Sequence, residues 1–385
     1  MRVLFYTYGM VRGTEHLMPW RTLVEVARHM NATDKYFASI CSAQQPEPSR
    51  DYNGVTIFCI DTSNSAVRQV VDEGNWDVVF YPVTYRQGIK SMKELMGIKA
   101  EVIAYIPGGL YPLSGSLNLI FSGHAGIAKS YFLDTVIPHG LLANKLRKVG
   151  VNKIVCQSPL TAEDAISHGW KKNDVFCAIP GLDRVQDIET DDSLLNKMGL
   201  TGKRFLLFSG APAPARGAVM ALQAFDKYAS LMPDVKLVML MRRDVSSDFS
   251  EFERVAETID HKDAVIINYD RLTRPQLFGF FEKAWAVLLP FLIVPSEIPL
   301  TFFEVMSFGT PVITFKNGGT TDYLKEGLLI AQRRSCKALG DAMVSICTDE
   351  KKHEQLTKAA KELMIKHPSW EQTAMIWESA INHNA

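Results

Sequence analysis

No pair of cysteines in this chain has the spacing of a metal or redox motif. The six stand at positions 41, 59, 156, 177, 336 and 347, too few for a disulfide scaffold, which favours a reducing cytoplasm. Long apolar runs are missing as well. The longest, AWAVLLPFLIVP over 284–295, is broken by Pro290 and is too short for a spanning helix. The opening MRVLFYTYG lacks the extended apolar region and small-residue cleavage site of a signal peptide, and reads as a first strand. Neither sign of charge prevails. With 42 basic and 42 acidic residues the formal net charge is zero, so nothing draws the whole chain to nucleic acid or to acidic lipid. These absences predict a soluble cytoplasmic protein that does not bind nucleic acid.

What the chain does have is bulk and alternation. Its 385 residues, 47% of them hydrophobic, suffice for two or three domains with large cores. Strands are expected over 2–8, 36–42, 55–60, 77–83, 101–107, 153–158 and 175–180, with amphipathic helical stretches such as 20–30 and 159–169 between them. This is the pattern of a doubly wound parallel sheet. It lapses over 181–203 into polar, acidic, turn-forming residues. It then restarts with strands at 204–210, 235–241, 264–268, 285–290 and 311–315 and a helix over 216–231. The simplest account is two Rossmann-like domains, 1–182 and 203–366, joined by a linker over 183–202. A final helix over 367–385 carries Trp370 and Trp377 on one face and packs across the boundary. Two open sheets leave a cleft between their carboxyl edges, where ligands of α/β folds bind.

Two stretches carry chemistry. In PSEIPLTFFEVMSFGTPV (295–312), Glu297 and Glu304 are seven apart, and seven steps on one helix would bring both carboxylates to nearly the same side. Pro299 suits the first turn of a helix and Gly309 its end, so a helix N-terminus able to hold an anion is expected beside Glu297. In FLLFSGAPAPARGAVMALQAF (205–225), a strand enters a turn of small residues and Arg216-Gly217 opens the next helix. The guanidinium fork and the helix N-terminus both suit phosphate oxygens. A plain strand–turn–helix with a surface arginine is the alternative.

Together these stretches resemble glycosyltransferase family 4, the retaining nucleotide-sugar enzymes of GT-B fold. The matching residues are Gly210, Arg216-Gly217, Glu304-Val305-Met306 and Gly309-Thr310-Pro311-Val312, with KIVCQSPLTAEDAISHG, AIPGLD and GGTTDYL in support. The similarity spans most of 150–330. It implies that Glu304 accepts bonds from the ribose hydroxyls of the donor. It also implies that Arg216 and the backbone near Ile298, Leu300 and Thr301 hold the diphosphate, with Gly210 and Gly217 admitting it. No bound metal and no separate cofactor are implied, and no D-x-D motif sits at a strand end. The donor would be a UDP- or GDP-sugar and the acceptor a hydroxyl group on a glycan, glycolipid or small molecule.

The chain departs from the family pattern in two places. Eight residues before Glu304 stands Ser296, so Glu297 is displaced by one. Ala211 follows Gly210 where many members have arginine, and Arg242 or Arg243 either supplies that cation or is an ordinary solvated pair. Further candidates are Gly13 in the loop after the first strand, His124 and His139 on the first domain, and Tyr269 as a flank for the base. For each, a structural role is the alternative. Glu297 and His124 join Arg216 as candidates for the reacting end of the donor. A non-hydrolysing nucleotide-sugar epimerase and a non-catalytic nucleotide-sugar-binding subunit keep the same fold. A NAD-dependent oxidoreductase is disfavoured, because YGMVRGTEHL follows the first strand in place of G-x-G-x-x-G. Finally, Lys90, Lys93, Lys99, Lys145, Arg147 and Lys148 lie among apolar residues over 86–150. They read either as solvated helix faces or as a rim for peripheral contact with the anionic inner face of a membrane.

Overall fold

Apolar β-rich runs buried on both faces become parallel strands here, and the sequence alternation becomes two sheets. The computed structural model describes residues 1–43, 47–61, 66–89, 92–183, 188–242, 248–294 and 296–383. The first sheet comprises β1 (Arg2–Tyr8), β2 (Phe37–Ala43), β3 (Arg50–Tyr52), β4 (Val55–Ile60), β5 (Val78–Pro82), β6 (Glu101–Tyr105), β7 (Lys153–Cys156) and β8 (Val175–Cys177). Their order is β3-β4-β2-β1-β5-β6-β7-β8, parallel except for the β3–β4 edge pair. The second sheet comprises β9 (Arg204–Ser209), β10 (Val235–Leu240), β11 (Val265–Asn268), β12 (Ala286–Leu289), β13 (Val312–Phe315) and β14 (Leu328–Ala331). Its order, β11-β10-β9-β12-β13-β14, is parallel throughout.

In the second sheet the chain winds outward from β9 to β11, then returns to the other side of β9 at β12. That reversal leaves a crevice between the loops after β9 and β12, where ligands of open α/β sheets bind. The corresponding reversal in the first sheet lies between β1 and β5.

The domains are held together at several points. The helix Leu113–Phe121 and the helix Ala125–Val136 follow β6, yet Leu119 and Ala128 are buried in the core beneath the second sheet, beside Ala215, Leu292 and Ile293. The chain crosses between domains twice in one place, where Leu182 N donates to Pro368 O at 3.2 Å. The terminal helix, Trp370–Asn382, then returns to the first domain. Trp377 packs on Phe5, Phe80 and Tyr105 of the first sheet, whereas Trp370 joins the core under the second. Among the described residues no helix is long and apolar enough to cross a membrane.

Candidate active site in the interdomain cleft

The loop after β9 runs through Gly210 to Gly217. Gly217 has φ +74°, and a Cβ there would fall 2.3 Å from the Pro290 carbonyl oxygen, so only glycine lets this turn press on the loop after β12. Arg216 folds back over Gly210, where a Cβ would stand 2.7 Å from its Nη1. Its guanidinium carbon lies 5.7 Å from the centre of the Phe291 ring, and Phe291 stacks on Phe302 at 5.9 Å. The arginine, the glycine turn and the helix carrying Phe302 are thereby one packed unit.

That helix is Leu300–Ser307, with Pro299 at its N-cap in an extended conformation. The expectation that Pro299 lies in the first turn is off by one residue, and the consequence reaches further. Glu297 precedes the helix, so the seven-residue helical argument does not apply, and the two carboxylates share no partner.

Glu297 is 2% exposed and reaches into the first domain. Its Oε1 accepts from the Ser158 hydroxyl and, at 2.5 Å, from Thr161 Oγ1. Both belong to the start of the helix Pro159–Ser167, whose N-cap is Ser158, with its side chain accepting from Thr161 N at 3.2 Å. Gly319 closes the other side, since a Cβ there would sit 2.7 Å from the same carboxylate oxygen. The second oxygen, Oε2, is buried without a partner. Burial pushes the Glu297 carboxyl up to about 7; the two hydroxyls pull it down and Asp164 pushes it further up. Beside it is a cavity of about 10 Å³ lined by Gly109, Tyr111, Ser296, Asn317 and Thr320 among others.

Glu304 lies in a different setting. Its Oε1 accepts from Arg21 at 3.2 Å and from Arg274 at 3.4 Å. Both arginines also bind Asp183 Oδ2, at 2.6 and 2.7 Å, and Trp370 Nε1 donates to Asp183 Oδ1 at 3.1 Å. Burial raises the Asp183 carboxyl, but Arg21 and Arg274 more than reverse that and hold it below its usual range. Arg21 comes from the first domain, so this network is also a clasp across the cleft.

The other expected residues are dispersed. Gly13 N donates to Glu15 Oε2 at 2.7 Å, so that amide is already engaged within its own loop. His124 faces Glu251 of the second domain, Nε2 to Oε2 3.4 Å. Tyr269 is half-buried against the second core and meets Phe249 edge-on at 5.7 Å. The side chains of Ile298 and Leu300 are core residues, 0% and 6% exposed, and Thr301 is half-buried. Arg243 lies outside the described residues, as does Lys90. Arg242 approaches the cleft: the His16 imidazole is pushed below its ordinary value by burial, then by Arg242 and Arg271.

Sequence reasoning missed the cleft's most elaborate cation. Arg334, just after β14, donates through Nε to Leu292 O at 3.1 Å, through Nη1 to Ser114 Oγ at 2.8 Å and through Nη2 to Asn317 Oδ1 at 3.2 Å. Burial lowers its value to about 10. It ties the first domain to three loops of the second. Its only sequence signal was β14, too short a run to stand out. Arg21, Arg274 and Asp183 were missed as well, because their partners come from three separate segments.

Comparison with known proteins fits this geometry. Residues 192–363, most of the second domain, match the family described as Glycosyl transferases group 1. Over 188 residues the chain is 25% identical to the lipopolysaccharide 1,2-N-acetylglucosaminetransferase of Salmonella typhimurium, covering 46% of this chain and 48% of that one. The chain spans about half the length of the curated relatives it matches. Among solved structures, sucrose-phosphate synthase from Thermosynechococcus elongatus superposes with a TM-score of 0.73 at 12% identity, over 99% of this chain and 98% of that one. HepE from Anabaena, in complex with UDP and glucose, gives 0.70 at 13% identity over 99% of both chains. At such identities the likeness is one of fold, the two-domain GT-B architecture.

Proposed function

We propose that the protein is a retaining family 4 glycosyltransferase that moves a sugar from a nucleoside-diphosphate sugar to a hydroxyl acceptor without a metal ion. The observation that carries this reading is the turn from Gly210 to Gly217 at the reversal of the second sheet, with Arg216 folded over it against the segment that holds both glutamates. As the bond from sugar to phosphate breaks, negative charge grows on the leaving diphosphate. A fixed guanidinium and the N-terminus of Leu300–Ser307 stabilise it there. The acceptor oxygen forms its bond to the anomeric carbon on the same face, and its proton passes to the departing phosphate oxygen. The solved complexes of HepE with UDP and with UDP-glucose support a uridine donor.

A thermal-shift panel of UDP-, GDP-, ADP- and dTDP-sugars tests the reading, since a ligand at 100 times its dissociation constant stabilises by about 2.7 kcal/mol. One base should stand out. A panel in which none raises the melting temperature would overturn the proposal. Interconversion of the donor sugar with no acceptor present would favour an epimerase instead.

The acceptor side has its own signature. Residues 113–148 contain a single carboxylate, Asp134, which is 5% exposed and bound to Arg86. The same segment exposes Leu117, Ile120, Phe121 and Ile127 together with Lys129, Lys145, Arg147 and Lys148. This apolar and basic surface suits peripheral docking on an anionic membrane, each cation adding about 1 kcal/mol. Liposomes containing anionic lipid should sediment the protein at low salt and release it at high salt. Indifference to them at low salt would point to a soluble acceptor.

A further inference from the structure

A separate cluster of ligating groups gathers on the first domain. His139 directs Nδ1 at Asp164 Oδ2, 2.7 Å away, and His168 brings Nδ1 to 3.2 Å from Asp164 Oδ1. A ligand atom from each of the three lies within 4.8 Å of the other two. His139 precedes the helix Gly140–Lys148, whereas Asp164 and His168 stand four apart at the end of the helix Pro159–Ser167 and so share a face. Two contacts fix the set from behind. The Tyr85 hydroxyl donates to Asp164 Oδ2 at 3.1 Å, and the Tyr85 ring stacks on His139 with centroids 3.6 Å apart. Such outer support orients the ligands of metal sites. The His168 side chain is 43% exposed, which leaves an entry path from solvent.

We propose that His139, Asp164 and His168 form a binding site for a divalent ion of the zinc class, with the remaining position taken by water. Two imidazoles and one carboxylate are a donor set that suits Zn²⁺ and Co²⁺ and disfavours Mg²⁺. Ligand atoms around a tetrahedral ion at ~2.05 Å stand about 3.3 Å apart. The imidazoles face different Asp164 oxygens, at 2.7 and 3.2 Å, and His168 Nδ1 also lies 2.9 Å from the Asp164 carbonyl oxygen. To hold the ion, His168 must turn from that carbonyl and both rings converge on one carboxylate oxygen. No sequence motif announces the set, since its members come from two helices and meet only in the fold. The ion would pin the helix whose first turn holds Glu297, and no step of sugar transfer is routed through it.

The test uses the full chain stripped of metal with a chelator. Titration with Zn²⁺ by calorimetry should show one equivalent bound, and Co²⁺ should give visible ligand-field bands, while Mg²⁺ gives neither. His168→Ala, at an exposed side chain, should weaken Zn²⁺ by at least about tenfold, and the His139→Ala/His168→Ala pair should remove the Co²⁺ bands. Thermal melts in chelator verify that the variants fold. A wild-type protein that binds neither ion, or a double variant that binds as wild type does, overturns the assignment.

Discussion

Glu297 and Glu304 are the same residue type on one short segment, yet the fold treats them as opposites. Glu297 meets only neutral hydroxyls from the other domain and is driven toward protonation by burial. Glu304 meets two guanidiniums. Each nevertheless commits one oxygen to the protein: both arginines bond Oε1 of Glu304, and both hydroxyls bond Oε1 of Glu297. The difference teaches that spacing along the chain does not set a carboxylate's chemistry; the elements packed against it do. A buried carboxyl held by hydroxyls and a carboxylate held by arginines is a division of labour suited to a donor that is neutral at the sugar and polar at the nucleoside.

The largest effect should come from neither glutamate. If the leaving charge falls to Arg216, Arg216→Ala should reduce kcat/KM for transfer by roughly 10²-fold or more, and Arg216→Lys should recover only part, because a point charge replaces a bidentate fork. Wild-type turnover in the alanine variant would remove Arg216 from the site and leave the two carboxylates as the whole of the comparison.

The next effect is on stability and sharpens the Glu297 side. Its carboxyl is raised from 4.5 to about 7 by burial, so the folded state holds a proton that the unfolded state has released. The resulting stabilisation is present below about pH 4.5 and is lost as pH rises through about 7, a change on the order of 3 kcal/mol. Glu297→Gln removes that titration, so its melting temperature should vary less than that of wild type between about pH 5 and pH 8. Parallel profiles for the two proteins would mean that the carboxylate stays charged in its pocket.

Much of this frame was legible in the sequence, for a physical reason. Strands buried on both faces write themselves as apolar runs, and twelve of the expected runs coincide with strands to within a few residues. The exceptions lack that signal. β3 is the polar edge Arg50-Asp51-Tyr52, and β14 is four residues that periodicity cannot separate from the end of the preceding helix. The glycine turn and Arg216 were legible because local backbone geometry demands those residues. The surroundings of the glutamates were not. Whether Pro299 caps a helix or begins it decides where Glu297 points, and the sequence permits both. Arg21, Arg274 and Arg334 look like any surface arginine until the domains close on them.

On the Glu304 side, Glu304→Ala should weaken nucleotide binding by about 1.5–3 kcal/mol if the carboxylate takes charge-assisted bonds from ribose, and Glu304→Gln should lose less. Calorimetry with the nucleoside diphosphate alone reads this without any acceptor. An unchanged affinity would reduce Glu304 to a domain clasp and dissolve its half of the comparison.

The smallest effect separates clasp from binding site. Arg274 is 47% exposed at its side chain and shares Glu304 and Asp183 with Arg21, which is only 10% exposed. An exposed pair of this kind is worth no more than about 1 kcal/mol and weakens with salt. Arg274→Ala should therefore lower stability by less than about 1 kcal/mol, with the deficit shrinking as salt is added. Its effect on nucleotide affinity should be smaller still, within about twofold, equivalent to ~0.4 kcal/mol. The reason is geometric: Arg274 bonds Oε1 of Glu304, the oxygen already occupied by Arg21, so removing it leaves the carboxylate held and its other oxygen unaltered. A tenfold loss of affinity in Arg274→Ala would show that the guanidinium itself touches the nucleotide. The charged end of the cleft would then be built from arginine, with Glu304 serving to aim it.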